Sequence, residues 1–237
     1  MLSIIIPLRN EAENLAEILS HFNNSLSKID HEVILVNDFS IDDTFKKAKK
    51  ISEEYENFKI IENKKKGLGG AINVGIECCK GEKICIMMGD LSDDINDLKK
   101  YNDIMDKENI DAVLGSRFLE NSKVHDYPLN KLILNRLFNF FVSIIFWNKY
   151  NDYTNAFKIY KRDVLVTLMP FVSESFNIFL EIPLKLISRK YSYKVIGINW
   201  FGRKKGKAKF KINELRSKYL FTLLYCFFEK ILLNIRK

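Results

Sequence analysis

The feature that most limits the fold is an alternation in the first half of the chain. Short, β-branched apolar runs take turns with longer stretches of helical spacing. Residues 2–8, 32–38, 58–62, 83–88 and 111–118 read as strands, and residues 14–22, 43–55, 69–79 and 95–106 as the helices between them. Strands joined through helices of that length pair in parallel through right-handed crossovers, so the expected class is α/β with a mainly parallel sheet flanked by helices. The chain has 237 residues, 47% of them hydrophobic, enough for one large domain with a sizeable core or one domain with an appendage.

The fourth strand stops abruptly. Ile86-Met87-Met88 gives way to Gly89-Asp90-Leu91-Ser92-Asp93-Asp94. A buried strand that ends this way delivers an acid to the sheet edge, where the ligands of open α/β sheets collect. Hard oxygens at that place suit Mg²⁺ or Mn²⁺, and such a cation suits a diphosphate. Taken alone, the segment also reads as a strand followed by an Asp/Ser helix cap. Strand one ends in Pro7-Leu8-Arg9-Asn10-Glu11 and strand two in Asn37-Asp38-Phe39-Ser40. Neighbouring parallel strands would therefore bring Glu11, Asp38 and Asp90 to one rim, and three acids at successive strand ends weaken the capping explanation.

Lys66-Gly67-Leu68-Gly69-Gly70-Ala71 is a glycine-rich turn into a helix. Its backbone N–H groups, that of Gly69 among them, can face phosphates; close packing of the helix on the sheet is the alternative. Ile72 stands where a dinucleotide fingerprint needs its last glycine, and the Gly-Lys-Ser/Thr ending of a P-loop is missing.

The second half changes character. Residues 120–130 form a polar stretch with Pro128, residues 131–147 a strongly apolar helix, residues 152–160 a short mixed segment, and residues 176–189 an amphipathic helix that Pro183 can kink. Residues 193–201 resemble a strand. Residues 203–211 carry six cations and no acid, and an amphipathic, aromatic-rich helix begins near Asn213. The net charge of +8 suits an anionic partner such as a phosphate-bearing substrate or a membrane surface. Basic residues are not interleaved with aromatics in a nucleic-acid-binding module, so no nucleic acid is expected. The four cysteines have no metal or redox spacing and the three histidines are scattered, which argues for reduced thiols and against a zinc site or a His-based triad. Arg9, Asn10 and Glu11 interrupt the first apolar run too early for a secretory leader. Residues 132–147 and 219–235 are broken by Asn135, Arg136, Asn139, Glu229 and Lys230, whereas a span needs about 20 nearly uninterrupted apolar residues. Both fit helices lying in a membrane interface.

The segments IPLRNE, VNDFSIDDT, KGLGGA, MMGDLSDD, DAVLGSRF, NDYTNAFKIYKRDV, FLEIP and FGRKKGKAKF, in this order, resemble family-2 glycosyltransferases of the GT-A fold, above all the polyprenol (dolichol) phosphate mannosyltransferase-like group. The likeness runs from about residue 2 to residue 211. It implies a GT-A domain over residues 1–211 and a membrane-associating helix over residues 212–237. It implies a nucleotide-sugar pocket made by Pro7, Arg9, Asn10, Glu11, Asp38, Gly69, Met88, Gly89 and Asp90. The family's D-x-D falls on Met88-Gly89-Asp90, so its first acid is replaced by methionine. Asp90, supported by Ser92, is left as the implied ligand of Mg²⁺ or Mn²⁺. The resemblance assigns the acceptor phosphate to Arg117, Arg136, Arg203, Lys205 and Lys209, with Asp90, Arg117 and Lys205 as the catalytic set. In the basic loop Lys205 replaces an arginine, which keeps the charge but loses the planar fork.

The implied reaction is metal-dependent and inverting, in the resembled family's manner, and moves a sugar from a GDP- or UDP-sugar to a polyprenyl phosphate. The place would be the cytoplasmic face of a membrane, with the protein peripheral. A lipid monophosphate is already an anionic nucleophile, so it needs positioning and charge neutralisation more than a strong base. Elongation of a glycan or surface polysaccharide is the competing expectation.

Overall fold

The computed structural model describes residues 1–203, 205–206 and 212–235; the side chains of residues 212–216 and 234–235 are outside that description. The chain runs β1 (Leu2–Leu8), α1 (Leu15–Ser25), β2 (His31–Asn37), α2 (Thr44–Glu54), β3 (Phe58–Glu62), α3 (Leu68–Cys78), β4 (Lys83–Ile86), α4 (Ile95–Glu108) and β5 (Ala112–Ser116). It continues through β6 (Lys123–His125), α5 (Leu129–Phe146), β7 (Lys158–Lys161), α6 (Arg162–Thr167), α7 (Ile178–Ser188), β8 (Tyr193–Gly197), β9 (Asn199–Phe201) and α8 (Ile212–Ile235).

Seven strands form one sheet in the order β3-β2-β1-β4-β7-β5-β8. Every pair is parallel except those of β7, which runs antiparallel between β4 and β5. The expected mainly parallel α/β architecture is the one observed. All seven residues of β1 are buried, as a central strand covered by helices on both faces requires. One apolar cluster lies on the face of α3 and α7 and a second on the face of α1, α2 and α4.

Several elements depart from the sequence expectation. Residues 158–161, at the end of the short mixed segment, form a central strand, β7, hidden because it is four residues long with lysine at both ends. Residues 162–167 form α6, a single short helix not foreseen. The expected strand over 193–201 is two strands. Ile198 is buried and its N–H is held by Ser116 O, so β8 closes the main sheet while β9 turns away to pair in parallel with β6. Finally, α7 is not amphipathic: ten of its eleven residues are buried, because it shares an apolar cluster with the strands and packs along α8.

The helix α8 packs on the domain through Thr222, Leu223 and Cys226, and Arg189 pairs with Glu229 at 2.6 Å. Leu220, Phe221, Leu224, Phe228 and Leu232 of α8 remain exposed, as do Ile133, Leu137, Phe140, Phe141 and Ile144 of α5. By length and composition α5 is apolar enough to cross a membrane, longer than the sequence suggested because it starts at Leu129. Its inward face is nevertheless fixed to the domain, with Asn139, Val142 and Phe146 buried.

Candidate functional site

Because β1 lies between β2 and β4, the carboxyl ends of these three strands are adjacent. The chain leaves each one into a short turn that opens a helix, and these turns carry Glu11, Asp38 and Asp90. Glu11 is buried, its N–H donating to Thr44 Oγ1 at 2.8 Å and its Oε2 accepting from Asn14 Nδ2 at 2.7 Å. Asp38 is buried beneath the glycine turn. Its Oδ1 accepts from Asn63 Nδ2 and from Gly67 N, both at 2.8 Å, and its Oδ2 faces Arg9 Nη1 at 3.7 Å. Asp90 closes a tight turn in which its Oδ1 accepts from Ser92 N at 3.2 Å. The cap of α4 is a different acid, Asp94, which accepts from Asn96 N. The capping reading thus holds for Asp94, and Asp90 is left to face the rim.

Arg203, the first residue of the basic segment, reaches this rim directly. Arg203 Nη1 and Nη2 donate to both carboxylate oxygens of Glu11 at 3.0 and 2.9 Å, and Nη2 also donates to Asp90 Oδ2 at 3.2 Å. This fork on Glu11 raises the Arg203 pKa against the opposing effect of burial. The β6–β9 ribbon delivers the arginine: Phe201 N donates to Ser92 O at 2.9 Å, Gly202 N to His125 O, and Phe201 stacks on His125. Asp97 and Asp94 of α4 hold Asn199 at the start of β9, at 2.7 and 3.1 Å. Lys205 lies farther out, paired with Glu17 of α1 at 3.1 Å. Lys209 is outside the described residues.

Several site expectations change. Met88 packs its side chain against the apolar cluster of α3 and α7, and its N–H points to Asp93 Oδ2 at 3.4 Å. Asp93 is buried and pushed up to about 7, first by burial and then by Asp90 nearby. The N–H of Gly69 is directed to Glu174 O at 3.1 Å and that of Gly67 to Asp38, so the glycine turn does not present these groups to a phosphate. Close packing is the reason for glycine here: a Cβ on Gly69 would stand 1.9 Å from Ser173 O, and Gly67 has φ +126°.

Arg117 also changes role. Its Nε and Nη2 bind both oxygens of the buried Asp152, at 2.8 and 2.7 Å, and its own N–H reaches the same carboxylate at 2.9 Å. Burial opposes the charge, but Asp152 raises the Arg117 pKa above its ordinary value. The guanidinium is therefore already neutralised inside an aromatic box of Phe118, Tyr127 and Trp200. Arg136 of α5 shares the ring of Phe118 at 5.6 Å and has no acidic partner among the described residues. Asp152 and Asn63 are site residues that the motifs do not single out. The polar run Asn151-Asp152-Tyr153-Thr154-Asn155 was the available signal for the first, and nothing marked the second.

Among the described residues no three acid, histidine or cysteine side chains converge as a ready-made metal cage. Asp90 nevertheless fits a cation, because Arg203 places a positive charge on its Oδ2. Mg²⁺ or Mn²⁺ in such sites takes one or two carboxylates and completes its shell with phosphate and water.

An α/β sheet whose parallel strands end in acids at one rim, with Arg203 bridging two of them, has the form of a GT-A domain. The fold is shared with glucosyl-3-phosphoglycerate synthase from Mycobacterium tuberculosis, solved with Mn²⁺, UDP and phosphoglyceric acid, at TM-score 0.72 and 14% identity over 96% of this chain and 78% of that one. The chain belongs to glycosyl transferase family 2, whose model matches residues 3–168. It is 31% identical to the dolichol-phosphate mannosyltransferase of Pyrococcus furiosus over 88% of its own length and 59% of the relative's. A dolichyl-phosphate beta-glucosyltransferase from Dictyostelium discoideum is 30% identical, with 71% and 56% covered. A dodecaprenyl-phosphate galacturonate synthase from Rhizobium johnstonii is 27% identical, with 69% and 48% covered. The chain thus spans about half to three-fifths of the length of these curated relatives.

Proposed function

We propose that this chain transfers a sugar from a nucleoside diphosphate sugar to a polyprenyl phosphate. The observation that carries the reading is Arg203, which joins the basic acceptor segment to Glu11 and Asp90 of the donor rim. Donor acids and acceptor cations meet at one point, as transfer between two phosphate-bearing substrates requires. The names of the three relatives differ in the sugar and agree on a polyprenyl phosphate, which supports the lipid and leaves the sugar open.

In this reading Asp38 and Arg9 hold the nucleoside end, and Glu11 lines the pocket beside them. Asp90, with Ser92 behind it, would hold Mg²⁺ or Mn²⁺, which supplies Lewis-acid stabilisation of the departing diphosphate. Arg203 leaves Asp90 when donor binds and turns its fork to the acceptor phosphate, with Lys205 and Lys209 adding charge from the same segment. Arg136, exposed near the middle of α5, holds the phosphate from the other side. Arg117 keeps Phe118 and Trp200 in place from below. The nucleophile is the phosphate oxygen itself, so these residues neutralise and aim it rather than remove a proton.

The exposed apolar faces of α5 and α8 fit a peripheral protein resting on the cytoplasmic membrane surface, with α8 as the associating helix. The test is incubation with a panel of UDP- and GDP-sugars, Mn²⁺ and polyprenyl phosphate, with products weighed by mass spectrometry. A glycosylated polyprenyl phosphate is the expected product. Transfer only to a glycan acceptor would replace this reading with chain elongation.

A further inference from the structure

We infer that Glu181 of α7 is a positioning residue for the nucleoside end of the donor site, an inference that rests on the reading of Asp38 as a nucleotide contact. Glu181 is fully buried, in a helix that is otherwise apolar apart from Lys185 one turn on and the terminal Ser188. Its two carboxylate oxygens accept from consecutive backbone N–H groups, Val172 at 3.0 Å and Ser173 at 2.8 Å. Lys185 pairs with the same carboxylate at 2.9 Å and donates to Pro170 O at 2.7 Å and Leu168 O at 3.3 Å. The pair therefore fastens residues 168–173 to α7.

The far side of that segment is the wall on which the glycine turn rests. Gly69 N donates to Glu174 O, and the absent Cβ of Gly69 is the space taken by Ser173 O. The turn in turn fixes Asp38: Gly67 N donates to its Oδ1, and Asn63 Nδ2 bridges that oxygen and Gly67 O at 2.8 and 3.1 Å. Contact by contact, Glu181 sets residues 172–174, these set the turn at 67–70, and the turn sets the carboxylate that meets the nucleoside. A buried ion pair is a poor source of stability compared with apolar packing of the same volume. What it supplies is direction, since two adjacent N–H groups on one carboxylate hold a loop in a single place.

The inference is tested with Glu181→Gln/Lys185→Met, which removes both charges and leaves no unpaired ion, and with Gly69→Ala, which pushes the same wall from the other side. UDP, GDP and inorganic pyrophosphate are titrated calorimetrically with Mn²⁺ into parent and variants, with circular dichroism confirming the fold. The expected result is a nucleoside diphosphate Kd raised tenfold or more while the pyrophosphate Kd stays within twofold, and a raised donor KM with an unchanged acceptor KM. A structural role alone would not separate base-bearing from base-free ligands. If the double variant does not fold, Gly69→Ala decides by the same comparison. Folded variants that bind nucleoside diphosphate like the parent, or that lose pyrophosphate equally, overturn the inference. A parent that binds neither UDP nor GDP overturns the donor-site reading first, and the inference with it.

Discussion

Arg203 is a guanidinium set between two carboxylates, and that geometry has consequences for cation binding. While it sits on Asp90 it neutralises the charge a divalent ion would use. Arg203→Gln should therefore bind Mn²⁺ several-fold more tightly in the absence of nucleotide, seen by electron paramagnetic resonance, while the acceptor KM rises; unchanged Mn²⁺ affinity contradicts the contact's role. Asp152 gives a second test at this scale. Asp152→Ala leaves the buried Arg117 charge unpaired, and urea unfolding should show a loss of about 3–5 kcal/mol, the usual result of breaking a buried pair from one side. A loss under about 1 kcal/mol, the range of an exposed pair, would mean that Arg117 finds another partner. Glu11, Asp38 and Asp90 were legible in the sequence because each interrupts an apolar run where a strand must end. Asp152, Asn63 and Glu181 were not, because their partners lie 35, 25 and 8 residues away in segments whose approach only the fold decides. Arg117 was legible as a motif residue but not as a closed pair, since its neutralising acid comes from another loop.

Among the elements, α5 and α8 present apolar side chains that the domain does not cover. Phe221, Phe228 and Leu232 are each more than half exposed, so replacing them with serine should change the melting temperature little. Each large apolar side chain moved out of water contributes about 1.5–3 kcal/mol, so the triple variant should bind vesicles at least about tenfold more weakly. Flotation with vesicles containing anionic lipid measures this directly, and equal flotation of parent and variant would remove the membrane role of α8. The same assay at about 1 M salt, where the Debye length falls to about 3 Å, should release the parent from its charge-assisted share of the binding. Helices with one apolar stripe, such as α1, α2 and α4, were readable from spacing alone. The helix α7 was read as amphipathic because Glu181 and Lys185 look like a polar face; they are in fact an internal pair. The strand β7 was unreadable for the opposite reason, since its lysines suggest solvent while Lys158 is buried between two strands.

At the scale of the whole molecule, the parallel core follows from the strand–helix alternation, and the order β2-β1-β4 turns three separate sequence motifs into one rim. That much of the site was in the sequence. The β6–β9 ribbon that brings Arg203 to the rim was not, because it joins residues more than seventy positions apart through two three-residue strands. The central claim is that this rim is the donor site. Calorimetric titration of UDP and GDP with Mn²⁺ into the parent, Asp38→Ala and Asp90→Ala tests it most directly. The parent should bind at least one of the two nucleotides. Asp38→Ala should weaken that binding by about 1–3 kcal/mol, the cost of a charge-assisted hydrogen bond, and Asp90→Ala should abolish its dependence on Mn²⁺. A parent that binds neither nucleotide, or variants that bind as the parent does with the same Mn²⁺ dependence, would contradict it.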